Sequence, residues 1–184
     1  MAFEHEVHEQ TFHKLKEYLG ELFEDPYHDP ENDHFYVRYG TTVLEISVDA
    51  YGDEEAVVAI MSYCAQDVEV EEELLLGLLE LNHQMSLGAF SLVGRDVFFA
   101  YSLFGRNLEP RDLLRAITVV ATVADEYDDR IVERYGGQTA LERIQDTGGR
   151  RKRIGEELGR DEISRGDLGR NESDEDEDEM DEDY

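Results

Sequence analysis

The sequence has little cysteine and no long apolar run, which excludes several classes of protein. Among 184 residues there is one cysteine, Cys64, which excludes an internal disulfide and a multi-cysteine metal site. No apolar run approaches the roughly 20 residues of a membrane helix, and the first ten residues are polar and acidic rather than signal-like. We therefore expect a cytoplasmic protein without membrane contact.

Basic residues are also scarce. The chain has 17 Lys and Arg against 46 Asp and Glu, a formal net charge of −29 at pH 7. Phosphate backbones and anionic lipids attract basic proteins, so we expect no nucleic acid or membrane partner. At 1 M salt the Debye length is only about 3 Å, which screens self-repulsion. Because the acids are spread along the whole chain, adaptation to a salty cytoplasm is favoured over an acidic mimic that captures a basic partner.

Motifs for catalysis and cofactor binding are missing. The sequence has no GxGxxG, GxxxxGK[ST], CxxC, HExxH or GxSxG pattern. His5 and His8 are spaced to share a helix face, yet a solvated face is a simpler interpretation than a metal site, and the same holds for His28 and His34. Cys64 lies in a segment that is apolar on both sides and is interpreted as a buried structural thiol. We expect no enzyme, no cofactor and no metal, with an enzyme of unrecognised type as a third hypothesis.

Hydrophobic periodicity predicts three helices and five strands. The two prolines and turn-forming residues of segment 23–34 indicate a loop. The order α-β-β-β-α-β-β-α predicts an α+β fold with an antiparallel five-stranded sheet. The predicted helices cover 3–23, 69–85 and 110–135, and the predicted strands cover 35–39, 43–49, 56–68, 89–93 and 97–104.

The strand patterns predict different environments. Residues 56–68 are apolar on both parities, which indicates a central strand. In segment 43–49, Leu44, Ile46 and Val48 alternate with Glu45, Ser47 and Asp49, so we expect one buried and one solvated face.

The helix at 69–85 has more apolar residues than one buried face requires. One stripe contains Leu74, Leu75, Leu78, Leu81 and Met85, whereas Leu76 and Leu79 lie off it. Two interpretations stay open. The helix is buried on two sides within its own domain, or it packs on a second subunit. Under the second, Leu76, Leu79 and His83 form the subunit contact of a homodimer.

The strand at 97–104 is apolar on both parities too. If one parity faces the helices, Phe98 and Phe104, or their alternates, lie on a second sheet face. A large exposed apolar patch usually marks an interaction site. Phe98 and Phe104 are therefore candidate peptide-binding residues, although a second subunit or the C-terminal segment folding back would also cover them.

The composition changes after Gly136-Gly137. A basic cluster, Arg150–Arg153, precedes the almost wholly acidic segment 171–184. Such a segment cannot bury enough apolar surface to offset its ordering entropy. We expect a folded domain over residues 1–137 and a charged, mostly disordered tail over 138–184.

The second half of the domain resembles the YbjN-like family, which is related in fold to the CesT-like chaperones of type III secretion. The resemblance rests on a Leu-rich helix ending in Leu81-Asn82, the strand Gly88-Ala89-Phe90, a hairpin, and a last helix that carries Ala124-Asp125 and ends in Gly-Gly. It covers roughly residues 5–137, and the chain would be an acidic, haloarchaeal-type member. Glu109 departs from the pattern, because a Ser or Thr cap would start the last helix better.

The resemblance implies a peptide-binding or chaperone-like module, often dimeric, with an extended client segment across its sheet and helix surfaces. Strand addition would take affinity from backbone hydrogen bonds and selectivity from apolar pockets. Our first hypothesis is a homodimer that binds an unknown peptide or protein client. The alternative is a regulatory or ribosome- or RNA-associated factor that acts through the Arg150–Arg153 cluster and the tail.

Overall fold

The computed structural model describes residues 3–40 and 42–140 of the chain. This part holds three helices and six strands in the order α-β-β-β-β-α-β-β-α. The helices are α1 (Glu6–Leu22), α2 (Glu72–Gln84) and α3 (Pro110–Tyr135). The strands are β1 (Tyr27–Asp29), β2 (His34–Tyr39), β3 (Thr42–Tyr51), β4 (Glu55–Ala65), β5 (Ala89–Val93) and β6 (Asp96–Phe104).

All six strands form one antiparallel sheet with the spatial order β1-β2-β3-β4-β6-β5. The predicted α+β class and the three helices are confirmed, and β4 is central, as its two apolar parities indicated. The prediction of five strands is wrong, because the segment read as a loop contains β1.

Strand β1 was missed because its three residues are too few to show alternation. Pro26 and Pro30 flank it, and both residues favour loops. Its pairing is tertiary: Tyr27 lies opposite Tyr36, and Asp29 lies opposite His34. The strand exists because β2 pairs with it, and the residue pattern within 27–29 carries no information about that pairing.

The helix termini follow local signals. The side chain of His5 caps α1 by accepting a hydrogen bond from the backbone N–H of His8 at 3.2 Å. Pro110 occupies the first turn of α3, where its missing N–H leaves no helical bond unmade. Gly136, with φ of +69°, ends α3 in a conformation that suits glycine.

One face of the sheet carries the core. Helices α1 and α3 lay their buried side chains, among them Leu15, Leu19, Ile117 and Val120, on this face. The strands contribute alternate residues such as Ile46 and Ile60, both fully buried. Helix α2 lies beside edge strand β5, with Leu74 and Leu78 buried.

The other parity of β3 is less solvated than its polar residues suggested. Glu45 is 3% exposed and Ser47 is 9% exposed, so the expected wet face is wrong at both positions. Only Asp49 of the three polar residues is exposed. In the interior of a six-stranded sheet, cross-strand neighbours on both sides cover a side chain on either face.

Backbone pairing continues beyond Gly137. Gln66 and Gln138 exchange two backbone hydrogen bonds of 2.8 and 2.9 Å, which join the end of β4 to the segment after α3. Thr139 is buried. Apart from residues 138–140, the predicted tail lies outside the described residues, and so does the Arg150–Arg153 cluster.

Candidate functional site

The sheet has a face that is not part of the core, and we call it the open face. Strand register assigns its members, because side chains alternate along each strand and cross-strand partners share a face. None of them belongs to the hydrophobic core cluster. The apolar residues that the six strands place on the open face are Tyr27, Tyr36, Val43, Tyr51, Val57, Ala59, Met61, Tyr63, Phe98, Ala100, Phe104, Ala89 and Val93.

Three aromatic pairs stand on the open face. The ring centroids of Tyr27 and Tyr36 are 6.1 Å apart, and those of Tyr51 and Phe104 are also 6.1 Å apart. Tyr63 and Phe98 are closer, at 4.3 Å. Tyr51 is 58% exposed and Phe104 is 66% exposed, so this face presents aromatic rings to solvent. Rigid aromatic groups are a frequent source of affinity at protein interfaces.

The two phenylalanines chosen from the sequence both lie on the open face but differ in exposure. Phe104, the last residue of β6, pairs with Val57 near the start of β4 and is largely exposed. Phe98 is only 4% exposed and packs against Tyr63. Phe104 is therefore placed to touch a partner directly, whereas Phe98 supports the ring of Tyr63.

Helix α2 carries a second apolar surface, the α2 ridge, formed by Leu75, Leu76 and Leu79. These residues are 40%, 53% and 64% exposed. His83, one turn beyond Leu79, is exposed as well. Of the two stripes read from the sequence, Leu74 and Leu78 face the core and Leu76 and Leu79 do not. Their role in a subunit contact stays a prediction.

An open acidic cleft adjoins the α2 ridge where the start of α2 meets the end of α3. An ion pair between Glu73 and Arg134, both exposed, connects the two helices. The backbone N–H of Glu69 also donates to the carbonyl of Tyr135 at 2.7 Å. The cleft is lined by Glu71, Glu72, Glu73, Leu76, Gly77, Glu80, Arg134 and Tyr135.

The edge of the sheet at β5 is occupied at Phe90, the second residue of the strand. The side-chain amide of Asn82 donates to the carbonyl of Phe90 at 3.0 Å, and the N–H of Phe90 donates to Asn82 Oδ1 at 2.7 Å. Asn82 thereby makes the two bonds that an added strand would make. The other edge strand, β1, has only three residues. Simple strand addition thus has little open edge within the described part, and the open face is the larger available surface.

Glu45 and His34 form the most buried polar pair on the open face. His34 Nδ1 lies 2.7 Å from Glu45 Oε1. This hydrogen bond raises the pKa of His34 above its ordinary value of 6.5, against the opposing effect of burial. The charges of Glu45, Asp49 and Asp29 raise it further.

Other candidates from the sequence have structural roles. His8 is 2% exposed, and its Nε2 lies 3.2 Å from the carbonyl oxygen of Val48, so the interpretation of His5 and His8 as a solvated face is wrong for His8. Cys64 is buried as expected, and burial raises the pKa of its thiol. Within residues 3–40 and 42–140, no group of three or more His, Cys, Asp or Glu could hold a metal ion.

A helix-backed antiparallel sheet with an exposed aromatic face has the features of a protein-binding module. The chain belongs to the family TY-Chap1, described as T3SS (YopN, CesT) and YbjN peptide-binding chaperone 1, which it matches over residues 6–143. This confirms the family resemblance read from the sequence. No protein with a curated description shows a significant match to the chain. None of the described helices is long and apolar enough to cross a membrane.

Two candidate functional residues, Glu45 and Asn82, were not predicted from the sequence. Glu45 was read as a solvated residue of an alternating strand, and Asn82 was read only as part of a family pattern. The available signal for Asn82 was a polar residue one turn after Leu78, on the side of α2 that faces the core. Glu45 had no such signal, because its burial depends on Tyr36 and Met61, which lie opposite it on neighbouring strands.

Proposed function

We propose that the chain is a non-catalytic, peptide-binding chaperone that holds an extended client segment on the open face of its sheet. The observation that carries the proposal is the exposure of Tyr27, Tyr51 and Phe104 on a face whose members lie outside the hydrophobic core cluster. Membership of a peptide-binding chaperone family supports it. The occupied position at Phe90 on the β5 edge favours the face over strand addition, because Phe90 already has both backbone partners.

Phe104 is the residue to test for direct client contact. Phe104→Ala removes an exposed ring and should weaken peptide binding while leaving the unfolding curve nearly unchanged. Phe98→Ala should lower stability by about 3–5 kcal/mol, because it deletes a buried ring. Peptide affinity by fluorescence anisotropy, measured beside urea unfolding, separates the two effects. Unchanged affinity in Phe104→Ala would place the client elsewhere.

We further propose that the protein is a homodimer joined through the α2 ridge. Leu76 and Leu79 are one turn apart on one side of α2, and His83 continues this side. Burying exposed leucines against a second copy is favourable at roughly 25 cal/mol per Å² of apolar surface. The neighbouring Gly77 leaves room for close approach, because an added Cβ at this position would have nothing within 4 Å in the monomer.

A double variant tests the dimer. Leu76→Glu with Leu79→Glu should give a folded monomer by light scattering and circular dichroism. The control, Gln10→Glu with Thr122→Glu, adds the same charge at exposed helix positions away from the ridge and should stay dimeric. A double variant that keeps the dimer mass excludes the α2 ridge as the interface, and a monomeric wild type excludes the dimer.

Adaptation to a salt-rich cytoplasm is the third part of the proposal. The net charge of −29 supports it, since such a charge repels itself in dilute buffer. Raising the ionic strength from 0.1 M to 1 M shortens the Debye length from about 10 Å to about 3 Å. The free energy of unfolding should therefore increase with potassium chloride. A free energy that is flat or falls over this range contradicts salt adaptation.

The alternative of a regulatory or ribosome- or RNA-associated factor rests on segment 148–184, which lies outside the described residues, and no described residue favours it.

A further inference from the structure

One row of side chains crosses the whole open face. Register aligns one residue from each strand: Tyr27, Tyr36, Glu45, Met61, Ala100 and Ala89, from β1 to β5. Five of the six are apolar or aromatic. Glu45 is the single carboxylate in this row, and it stands on β3 between Tyr36 and Met61.

The carboxylate of Glu45 is only half satisfied. Its Oε1 has His34 as partner at 2.7 Å. Its Oε2 has no hydrogen-bond partner among the described residues. Water does not replace that partner freely, because the side chain is only 2% exposed. Buried polar atoms without partners are rare in folded proteins, because each forgoes the hydrogen bonds it would make with water. The second oxygen is thus a vacant acceptor on the open face.

The charges around this acceptor favour a cation. Register places Asp29, Asp49, Glu55 and Asp96 on the same face as Glu45, against Arg38 as the one Lys or Arg on the described strands of this face. His34 alone is shared among the carboxylates of Glu45, Asp49 and Asp29, each of which acts on it. Glu55 is paired with Arg106, so the negative charge around the His34–Glu45 pair comes from Glu45 itself, Asp49 and Asp29.

The side chains beside the row would accommodate an extended segment. On β4 and β6, the two positions next to the row on one side are small, Ala59 and Ser102, and the row itself holds the small Ala100. Larger rings stand on both flanks, with Tyr63 and Phe98 on one side and Tyr51 and Phe104 on the other. Small residues between aromatic flanks form a floor on which a peptide could lie across the strands, toward Glu45.

We propose that the client segment carries an arginine or lysine whose N–H group donates a hydrogen bond to Glu45 Oε2, with apolar residues of the segment against the aromatic flanks. The inference rests on the proposed function, since it names the chemistry of the client. Met61, half-buried and unbranched, lies opposite Glu45 on β4 and has the rotamer freedom to admit the cation. Tyr36 then stands beside the bound charge, where a ring face attracts cations.

Selection of short random peptides on the immobilised full-length chain, in concentrated potassium chloride, tests the proposal. The wild type should enrich peptides with a Lys or Arg beside apolar residues. Each enriched peptide is then made with its basic residue replaced by norleucine, and this change should weaken binding to the wild type by about tenfold. On Glu45→Gln the same replacement should change the dissociation constant little, as a double-mutant cycle requires for a direct pair.

Two variants control for general effects. Glu55→Gln removes one charge from the same face at a more exposed position and should keep the preference for basic peptides. His34→Gln keeps the Glu45 carboxylate and should keep the preference as well, which separates recognition by Glu45 from any effect of the pair on folding. If Glu55→Gln loses the preference as fully as Glu45→Gln, the attraction is diffuse and the proposal is overturned.

The other outcomes are distinguishable. Enriched peptides that are apolar without a basic residue overturn this inference and leave the proposed function standing, whereas no enrichment by any variant overturns both. Basic peptides enriched only on a variant with Arg150–Arg153 replaced by alanine would show that Glu45 Oε2 binds the chain's own basic cluster rather than a client. That result would overturn the inference. Loss of a dimer in Glu45→Gln would assign the open face to a second copy.

Discussion

The side-chain amide of Asn82 pairs with the backbone of Phe90 as a neighbouring strand would. Both bonds are present, at 3.0 Å from Asn82 Nδ2 to the Phe90 carbonyl and 2.7 Å from the Phe90 N–H to Asn82 Oδ1. The pair fastens the last turn of α2 to the edge of β5 and satisfies an edge position that would otherwise attract another strand. It therefore holds the helix that carries the α2 ridge against the sheet that carries the open face.

Asn82→Ala should lower the free energy of unfolding by about 1–3 kcal/mol, because the Phe90 N–H and carbonyl lose their partners in a part-buried setting. Urea unfolding measures the loss, and hydrogen exchange at the Phe90 amide should accelerate. Gln84→Ala, which truncates an exposed amide on the same helix, is the control and should change stability little. Equal effects of the two substitutions would contradict a specific role for Asn82.

Gly88→Ala should destabilise the fold by about 2 kcal/mol or more. Gly88 has φ of +73°, and an added Cβ would lie 2.5 Å from Cζ of Phe99 and 2.8 Å from the carbonyl oxygen of Ala100. Gly94→Ala is the matched control, since Gly94 has φ of +61° with nothing within 4 Å. It should show the backbone strain alone, about 1 kcal/mol. Thermal and urea unfolding of both variants give the comparison, and similar losses would show that Phe99 yields to the added methyl.

Glu109→Asp should stabilise the domain by about 0.5–1 kcal/mol. Glu109 is the N-cap residue of α3, and its side chain makes no capping hydrogen bond. Aspartate is among the best N-cap residues and keeps the charge unchanged. Glu109→Ala, which also lacks a capping group, is the control and should give no gain. An unfolding midpoint for Glu109→Asp that equals or falls below the wild type would contradict the prediction.

The His34–Glu45 pair should make stability depend on pH. The pKa of His34 is raised above 6.5 in the folded state, so the folded protein holds this proton more tightly than the unfolded chain. The stabilising contribution is complete below pH 6.5 and is lost as the pH rises through the raised pKa. The stability difference between the wild type and His34→Asn should shrink over this window, and NMR titration should show a lower His34 pKa in Glu45→Gln. If the stability difference between the wild type and His34→Asn widens as the pH rises, the pKa of His34 is not raised in the folded state and the prediction is wrong.

Local patterns were sufficient for most of the architecture. The apolar spacing at 110–135 predicted α3 to the residue, and two apolar parities predicted the central position of β4. Leu76 and Leu79 were recognised as lying off the core face of α2, and both are exposed. Such properties follow from side-chain periodicity within one element, which depends only on nearby residues.

The tertiary structure alone decided the features on which the site depends. Strand β1 exists because β2 lies beside it, and Phe98 is buried where it packs against Tyr63 on the neighbouring strand. Glu45 is buried between Tyr36 and Met61, which lie 9 positions before it and 16 positions after it in the sequence. These contacts are set by strand register, which joins segments distant in sequence. Periodicity within one segment assigns a residue to a face of its own strand, but the neighbours on that face come from other strands.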